Sequence, residues 1–361
     1  MLILAALMKI KEALYKLTHW ETWHHHAKYI PISPVWAWYI IRSGTPWFFT
    51  PSNPTLTFGG FEGEGKKEMY EQLPPGSYPN TIYIQPETAF HEVEQQVAAA
   101  GFTYPFIVKP NVGMMGFMFR KISNPEQLKK YHDAIPIEYL VQELVDYDLE
   151  ISAFYYRMPN EKKGTISGLL QKEPPYIIGD GSSSIEQLIQ QHEGIRFKTD
   201  GMLVRHAEWK DNILPAGEKY YLSHASNRRQ GARLKGIDNE IDERLQELFD
   251  SFSHYSGKFY YGRYDIKCTS VEDLKQGKNF SILEFNGAGA GIQHINANHY
   301  SLWKAMGIIL THWKMMFRIS RYNHKHNGVA YWGLLRGWRH LKAAKKNLMM
   351  LLRLDANFPS F

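Results

Sequence analysis

Cysteine is almost absent from this 361-residue chain, Cys268 being the single one. One thiol cannot close an internal disulfide and supplies no Cys-based zinc site, so a reducing, cytoplasmic compartment is expected. Long apolar runs are missing too. No stretch approaches eighteen uninterrupted apolar residues, so no transmembrane helix is expected. Residues 1–8 are apolar, but the run is short. It has no basic residue before it and no small-residue cleavage site after it, so it lacks the form of a signal peptide. Internal repeats and low-complexity tracts are also missing. No Gly-x-Ser-x-Gly, Cys–His or Walker pattern competes for the chemistry.

What is present is ample core material, with 44% hydrophobic residues and scattered Gly and Pro. The length suggests two or three packed units. Charge is uneven. The chain carries +6 overall, yet residues 285–361 hold eleven Lys or Arg against one acid, Asp355, which leaves −4 on the other 284 residues. A basic tail on a mildly acidic body points to an anionic partner such as a membrane surface, a nucleic acid or an acidic protein.

Four regions can be told apart. Residues 1–60 form an aromatic-rich extension with Trp20, Trp23, Trp36, Trp38, Trp47, Phe48 and Phe49, opening on a helical pattern over the first seventeen residues. Residues 61–150 alternate strand and helix signals: strands at 81–84, 106–109 and 139–143, a helix at 87–100 stopped by Gly101, and a helix at 124–132 capped by Asn124 with Pro125 behind it. Residues 151–300 are dominated by strands, with helices at 184–192 and 238–253. Residues 301–361 read as helical and basic. The alternation predicts an α+β chain of more than one lobe.

The most informative piece is Gly262-Arg263-Tyr264-Asp265-Ile266, followed nineteen residues later by Leu283-Glu284-Phe285-Asn286. In a strand, residues two apart share a face, so Arg263 and Asp265 project together, as do Glu284 and Asn286. If the two strands are neighbours, Asp265, Glu284 and Asn286 converge into an all-oxygen cluster suited to magnesium. Arg263 beside it would supply positive charge for a phosphate or a developing oxyanion. A surface hairpin with alternating polar residues is the plainer alternative. The run Gly287-Ala-Gly-Ala-Gly291, without side-chain bulk, would let backbone approach a ligand closely.

A Gly-Arg-hydrophobic-Asp strand followed by a Glu-x-Asn strand resembles the metal-binding end of ATP-grasp enzymes, notably D-alanine–D-alanine ligases and the ligase half of cyanophycin synthetases. The rest of that pattern follows in order over roughly residues 62–300. Phe106-Ile-Val-Lys109-Pro110 resembles the strand whose lysine contacts the α- and β-phosphates. Asn111-Val-Gly113-Met-Met-Gly116 stands where the family has its mobile phosphate loop, with methionines in place of the usual serines. Val141-Gln-Glu143-Leu144 resembles the hinge on adenine, Glu150 the acid on the ribose, and Lys66 the first phosphate lysine. The segment 178–188 resembles cyanophycin synthetase.

The resemblance implies an ATP-grasp fold, two α+β lobes with the nucleotide between them, extended by helices at both ends. It implies ATP and two Mg2+ ions as cofactors, with Asp265, Glu284 and Asn286 as metal ligands. Lys66, Lys109, Gly113, Gly116, Glu143, Leu144, Glu150 and Lys172 would hold the nucleotide, with Arg263 and Lys109 as catalytic groups. The activity implied joins a carboxylate to an amine through an acyl-phosphate. A non-catalytic nucleotide-binding module is the alternative. The family's usual Gly-rich substrate turn has no counterpart in residues 1–60, so its first-substrate contacts do not carry over.

Other features are weaker. The residues His24-His-His26 could ligate a metal or form a polar loop. Arg205, His206 and the 226–231 loop could fork onto substrate carboxylates or be a solvated basic loop. The C-terminal region sets Trp313, Phe317, Leu334, Leu335, Trp338, Leu341, Leu348, Leu351 and Leu352 among many basic residues. Its helices either lie on an anionic membrane interface or rest on the body with basic faces in water. A cytoplasmic protein, peripheral on the membrane in the first case, is expected, with small-molecule carboxylate and amine partners. No nucleic acid is expected, since no recognition motif accompanies the charge.

Overall fold

The computed structural model describes residues 20, 23, 27–114, 116–192, 203, 206–222, 232–298 and 300–358. The helical pattern over 1–17, His24–His26, Arg205 and the 226–231 loop lie outside these residues. Within them the architecture is α+β, with two antiparallel sheets, a small third sheet and ten α-helices.

The first sheet has the order β1-β4-β2-β3, from Thr81–Ile84 (β1), Phe106–Pro110 (β2), Arg120–Ile122 (β3) and Tyr139–Gln142 (β4). Helices Phe90–Ala99 (α3) and Pro125–Ala134 (α4) cover it. The Asn124 cap forms as expected, its Oδ1 accepting from Gln127 N at 2.9 Å. The 87–100 helix starts three residues late, at Phe90. Strand β2 runs through Pro110 rather than stopping before it, since a strand's last residue can forgo its N–H.

The second sheet has the order β11-β10-β5-β6-β9: Leu149–Tyr156 (β5), Thr165–Glu173 (β6), Arg233–Gly236 (β9), Tyr261–Cys268 (β10) and Phe280–Asn286 (β11). Strands β7 (Tyr176–Ile178) and β8 (Lys219–Tyr221) form the small ribbon beside helix α5 (Ile185–Gln191). Helix α6 spans Glu243–Ser256, not 238–253. Asp242 caps it through Leu245 N, while the Asp238 carboxylate instead accepts from Leu169 N and Asn298. A carboxylate used for tertiary bonds is lost to the helix.

The pleat separates two environments on this sheet. Ile151, Ala153, Tyr155, Tyr264 and Ile266 point into a core beneath α6. Ser152, Phe154, Tyr261, Arg263 and Asp265 take the opposite face, by the same alternation. Two flanking elements approach that second face. One is the aromatic segment with helix α1 (Ser33–Ser43), and the other is helix α9 (Leu302–His326). Asn53 locks the segment to β10. It donates to Gly59 O and Tyr261 O and accepts from the backbone N–H groups of Tyr260 and Tyr261.

The last helix, α10 (Leu334–Asn357), buries Gly337, Ala344 and Leu351 against the body, and Leu351 joins the core of the first sheet. Leu334, Leu335 and Trp338 stay exposed along one edge. Around the junction of α9 and α10, Asn323 Nδ2 donates to Pro51 O and Trp332 N donates to the Thr50 hydroxyl. Among the described residues, no helix is long and apolar enough to cross a membrane.

Candidate active site

Strands β10 and β11 are neighbours, and their register sets Arg263 opposite Asn286 and Asp265 opposite Glu284. All four side chains therefore emerge on the non-core face. Strands β5 and β6 extend the row with Glu150 and Ser152 and, opposite Glu150, Lys172.

Charges interlock here. Arg263 forks onto Asp265 with Nε and Nη2 at 3.0 and 2.8 Å, and Lys172 lies 3.1 Å from both Asp265 and Glu150. The Ser152 hydroxyl also donates to Asp265. Burial works to raise the Asp265 carboxyl, but Arg263 and Lys172 outweigh it and hold it far below the carboxylate range. Burial likewise works to raise the Glu284 carboxyl, but Lys66, Lys109 and Arg263 together outweigh it, so Glu284 is lowered as well. Asn286 Nδ2 reaches Asp265 at 3.4 Å and Glu284 at 3.3 Å.

Two lysines reach the cluster from outside the second sheet. Lys66 begins the short helix α2 (Lys66–Tyr70), whose start is pinned when Asn111 accepts from Lys66 N and Lys67 N. Its Nζ sits 3.3 Å from Glu284 and 3.2 Å from Gly113 O. Lys109 leaves β2 beside Tyr70, with Nζ 3.4 Å from that hydroxyl. Burial, with Lys66 nearby, lowers its ammonium to about 7. Lys66, Lys109, Lys172 and Arg263 thus ring the acids in one place.

Some residues read as ligand contacts have protein partners. Lys172 and Glu150 hold one another. Glu143 lies in the connection from β4 to β5, and its backbone N–H donates to Asn80 O while its carboxylate accepts from Asn80 N. Leu144 follows it there, half-buried. Gly113 lies against Pro110 and Leu351, whereas Gly116, at φ +78°, is open. Part of the Gly287–Gly291 run touches protein rather than ligand. Ala288 N and Gly289 N bond to Gly59 O and Gly60 O, and a Cβ on Gly287 would meet Gly59 O at 2.6 Å. Two backbones approaching this closely leave no room for side chains.

Sequence reasoning missed several contributors. Tyr70 donates to Leu283 O at 2.6 Å and accepts from Gln142, bridging the two sheets beneath Lys109. Loss of water around Glu64 pushes its carboxyl up to about 7, two residues before Lys66. Ser152 was readable only once its register with Asp265 was known.

The donor set suits a hard cation that also takes oxygens from a nucleotide. Asp265, Glu284 and Asn286 offer oxygen only, and a half-turn of the Asn286 amide presents Oδ1 to the same point. Among the described residues no three His, Cys, Asp or Glu side chains are placed to hold a metal ion by themselves.

No family model matches the chain, and no curated protein does. Solved structures similar to it include a bifunctional glutathione synthetase from Pasteurella multocida (16% identity, TM-score 0.39, 70% of this chain and 35% of that one). They also include D-alanine–D-alanine ligase from Bacillus anthracis (13%, 0.40, 72% and 68%) and the ATP-grasp ligase PsnB (14%, 0.36, 69% and 59%). The chain thus spans about a third of the first of these proteins and less than two thirds of the last.

Proposed function

We propose that this chain is an ATP- and magnesium-dependent ligase of the ATP-grasp type, joining a carboxylate to an amine through an acyl-phosphate. The observation that carries the reading is the facing of Arg263-x-Asp265 and Glu284-x-Asn286 across β10 and β11, with Lys66 and Lys109 reaching them from the other lobe.

Magnesium at Asp265, Glu284 and Asn286 would offset charge on the β- and γ-phosphates. Lys66 and Lys109 bind the remaining phosphate charge. The carboxylate substrate attacks the γ-phosphorus, ADP departs, and the amine displaces phosphate from the acyl group. Positioning and charge do nearly all such work, so no nucleophilic side chain is required. Arg263 keeps three of its five N–H groups on Asp265 and Gly291, which fixes its guanidinium where an oxyanion would form. The loop after Lys109 excludes water from the acyl-phosphate.

One observation favours a second reading. Both Asp265 oxygens already serve Arg263, Lys172 and Ser152, as in a closed ion cluster that binds nucleotide without turning it over. ADP release from magnesium-ATP, assayed against pools of carboxylates and amines beside Asn286→Ala, separates the two. Release that needs a substrate pool and vanishes in the variant supports the ligase. Tight magnesium-ATP binding with no turnover in any pool favours the module, and no ATP binding defeats both. The basic C-terminal helices are proposed to face an anionic surface with the exposed edge of α10. Co-sedimentation with phosphatidylglycerol vesicles but not phosphatidylcholine vesicles is the expected result.

A further inference from the structure

Helix α10 has two working faces. Gly337, Ala344 and Leu351, seven residues apart, form the buried row against the body. Seven residues make about two turns, so two further rows share the opposite side: Leu335, Lys342 and Met349, and Arg339, Lys346 and Arg353. All six are exposed, and Trp338 beside them is 66% exposed. Apolar and cationic side chains thus mingle outward. The one acid of the helix, Asp355, is taken by Arg120. Such a face fits a bilayer with anionic headgroups, where the cations meet phosphate and Leu335, Trp338 and Met349 enter the hydrocarbon boundary. A nucleic acid would use the cations and leave the apolar side chains in water. A second copy of the chain would set like charges against one another.

The body face does different work. Asn347 donates to Val112 O at 3.0 Å and Asp355 accepts from Met118 N at 2.8 Å, so one helix grips two points of the segment after Lys109. By itself α10 is poorly supported at its ends. No side chain caps it at Gly333, its first turn holds Arg336 and no acid, and its last turn holds Asp355 and no base. Each of these charges opposes the helix dipole. An anionic surface offsets the cations crowded along the helix and favours the helical form on which both grips depend. Lipid and segment are then coupled, and the coupling runs in both directions.

We infer that the outward face of α10 rests on an anionic bilayer, and that this contact secures the segment from Val112 to Met118. Beyond attachment, the helix has a regulatory duty, since it holds that segment more firmly on the membrane than away from it. The readouts need no nucleotide, so failure of the ligase reading would leave them untouched.

The test is hydrogen exchange read by mass spectrometry on the full chain alone, with phosphatidylglycerol vesicles and with phosphatidylcholine vesicles, beside co-sedimentation. Binding to phosphatidylglycerol is expected to be at least about tenfold tighter than to phosphatidylcholine. Exchange at the amides of Phe117, Met118 and Phe119 is expected to slow at least about threefold on phosphatidylglycerol alone, while β10 stays unchanged. Leu335→Glu with Trp338→Glu, both at exposed positions, should abolish binding and slowing together. Asp355→Ala keeps the outward face and removes the acceptor of Met118 N, so it should bind vesicles without the slowing. Equal binding to the two lipids would overturn the inference, as would tight binding that leaves exchange unchanged. Slowing that survives in the double glutamate variant, or that duplex RNA produces as well as vesicles do, would overturn it too.

Discussion

The amide of Asn347 donates a 3.0 Å hydrogen bond to the Val112 carbonyl, and so ties helix α10 to the loop that follows Lys109. Other fasteners lie on either side. Asp355 accepts from Met118 N and pairs with Arg120, while His340 meets Glu62 O at 2.7 Å. The segment from Val112 to Met118 is thereby held at both ends by one helix. Leu351 is its deepest anchor. Leu351→Ala is expected to cost about 2–5 kcal/mol in urea unfolding. Asn347→Ala should cost about 1 kcal/mol and weaken ATP binding several-fold by calorimetry.

The Arg263–Asp265 pair yields a second expectation. Arg263→Met leaves Lys172 as the remaining cation on buried Asp265 and should destabilise the chain by about 3 kcal/mol. Adding Asp265→Asn removes the stranded charge and should restore most of that stability while leaving turnover absent. Denaturation and ADP-release assays on the single and double variants check both halves. A double variant no more stable than the single one would contradict the account.

Lys109 makes nucleotide affinity depend on pH. Its ammonium titrates near 7 in the free protein, and a bound triphosphate favours the charged form. ATP affinity should therefore be full below pH 7 and fall above it, by at most about tenfold per pH unit. Binding at pH 8 should take up a proton, visible in calorimetry as a heat that varies with the buffer's ionisation enthalpy. Lys109→Arg should remove the uptake.

The histidines His294 and His312 lie buried with ring centroids 5.4 Å apart, and neither Nε2 has a hydrogen-bond partner. Burial lowers His294 to about 4, and burial with His294 alongside takes His312 well below its ordinary 6.5. The unfolded chain protonates both near 6.5. Stability present above that value is lost as pH falls towards 4, by up to about 1.4 kcal/mol per histidine per pH unit. His312→Leu should flatten the acid limb of a plot of unfolding midpoint against pH.

Local pattern carried much of this structure. The alternation in β10 and β11 foretold which side chains share a face, and their pairing brought Asp265 to Glu284 as the spacing suggested. Capping made the helix at Pro125 readable, and Lys66 and Lys109 reach the same acids although 43 residues separate them. What stayed hidden was long-range. No spacing rule links Trp36 to Trp313, or Asn347 to Val112, because such contacts follow from how the lobes are laid together. Charge partners were equally opaque. Lys172 and Glu150 each read as nucleotide contacts, yet the register of β5 with β6 makes them partners.

The pleat of β10 carries a consequence for descent. The charged cluster is fixed by strand positions that cannot slip by a single residue without turning Tyr261, Arg263 and Asp265 inward together. The apolar groove lined by Trp36, Ala37, Trp313 and Met316 takes most of its lining from outside the sheet, with Tyr261 its strand residue. Exchanges at Trp36, Ala37 or Met316 can therefore reshape that lining while every strand residue is inherited unaltered. A lineage built this way can vary its helices and keep its charged strands.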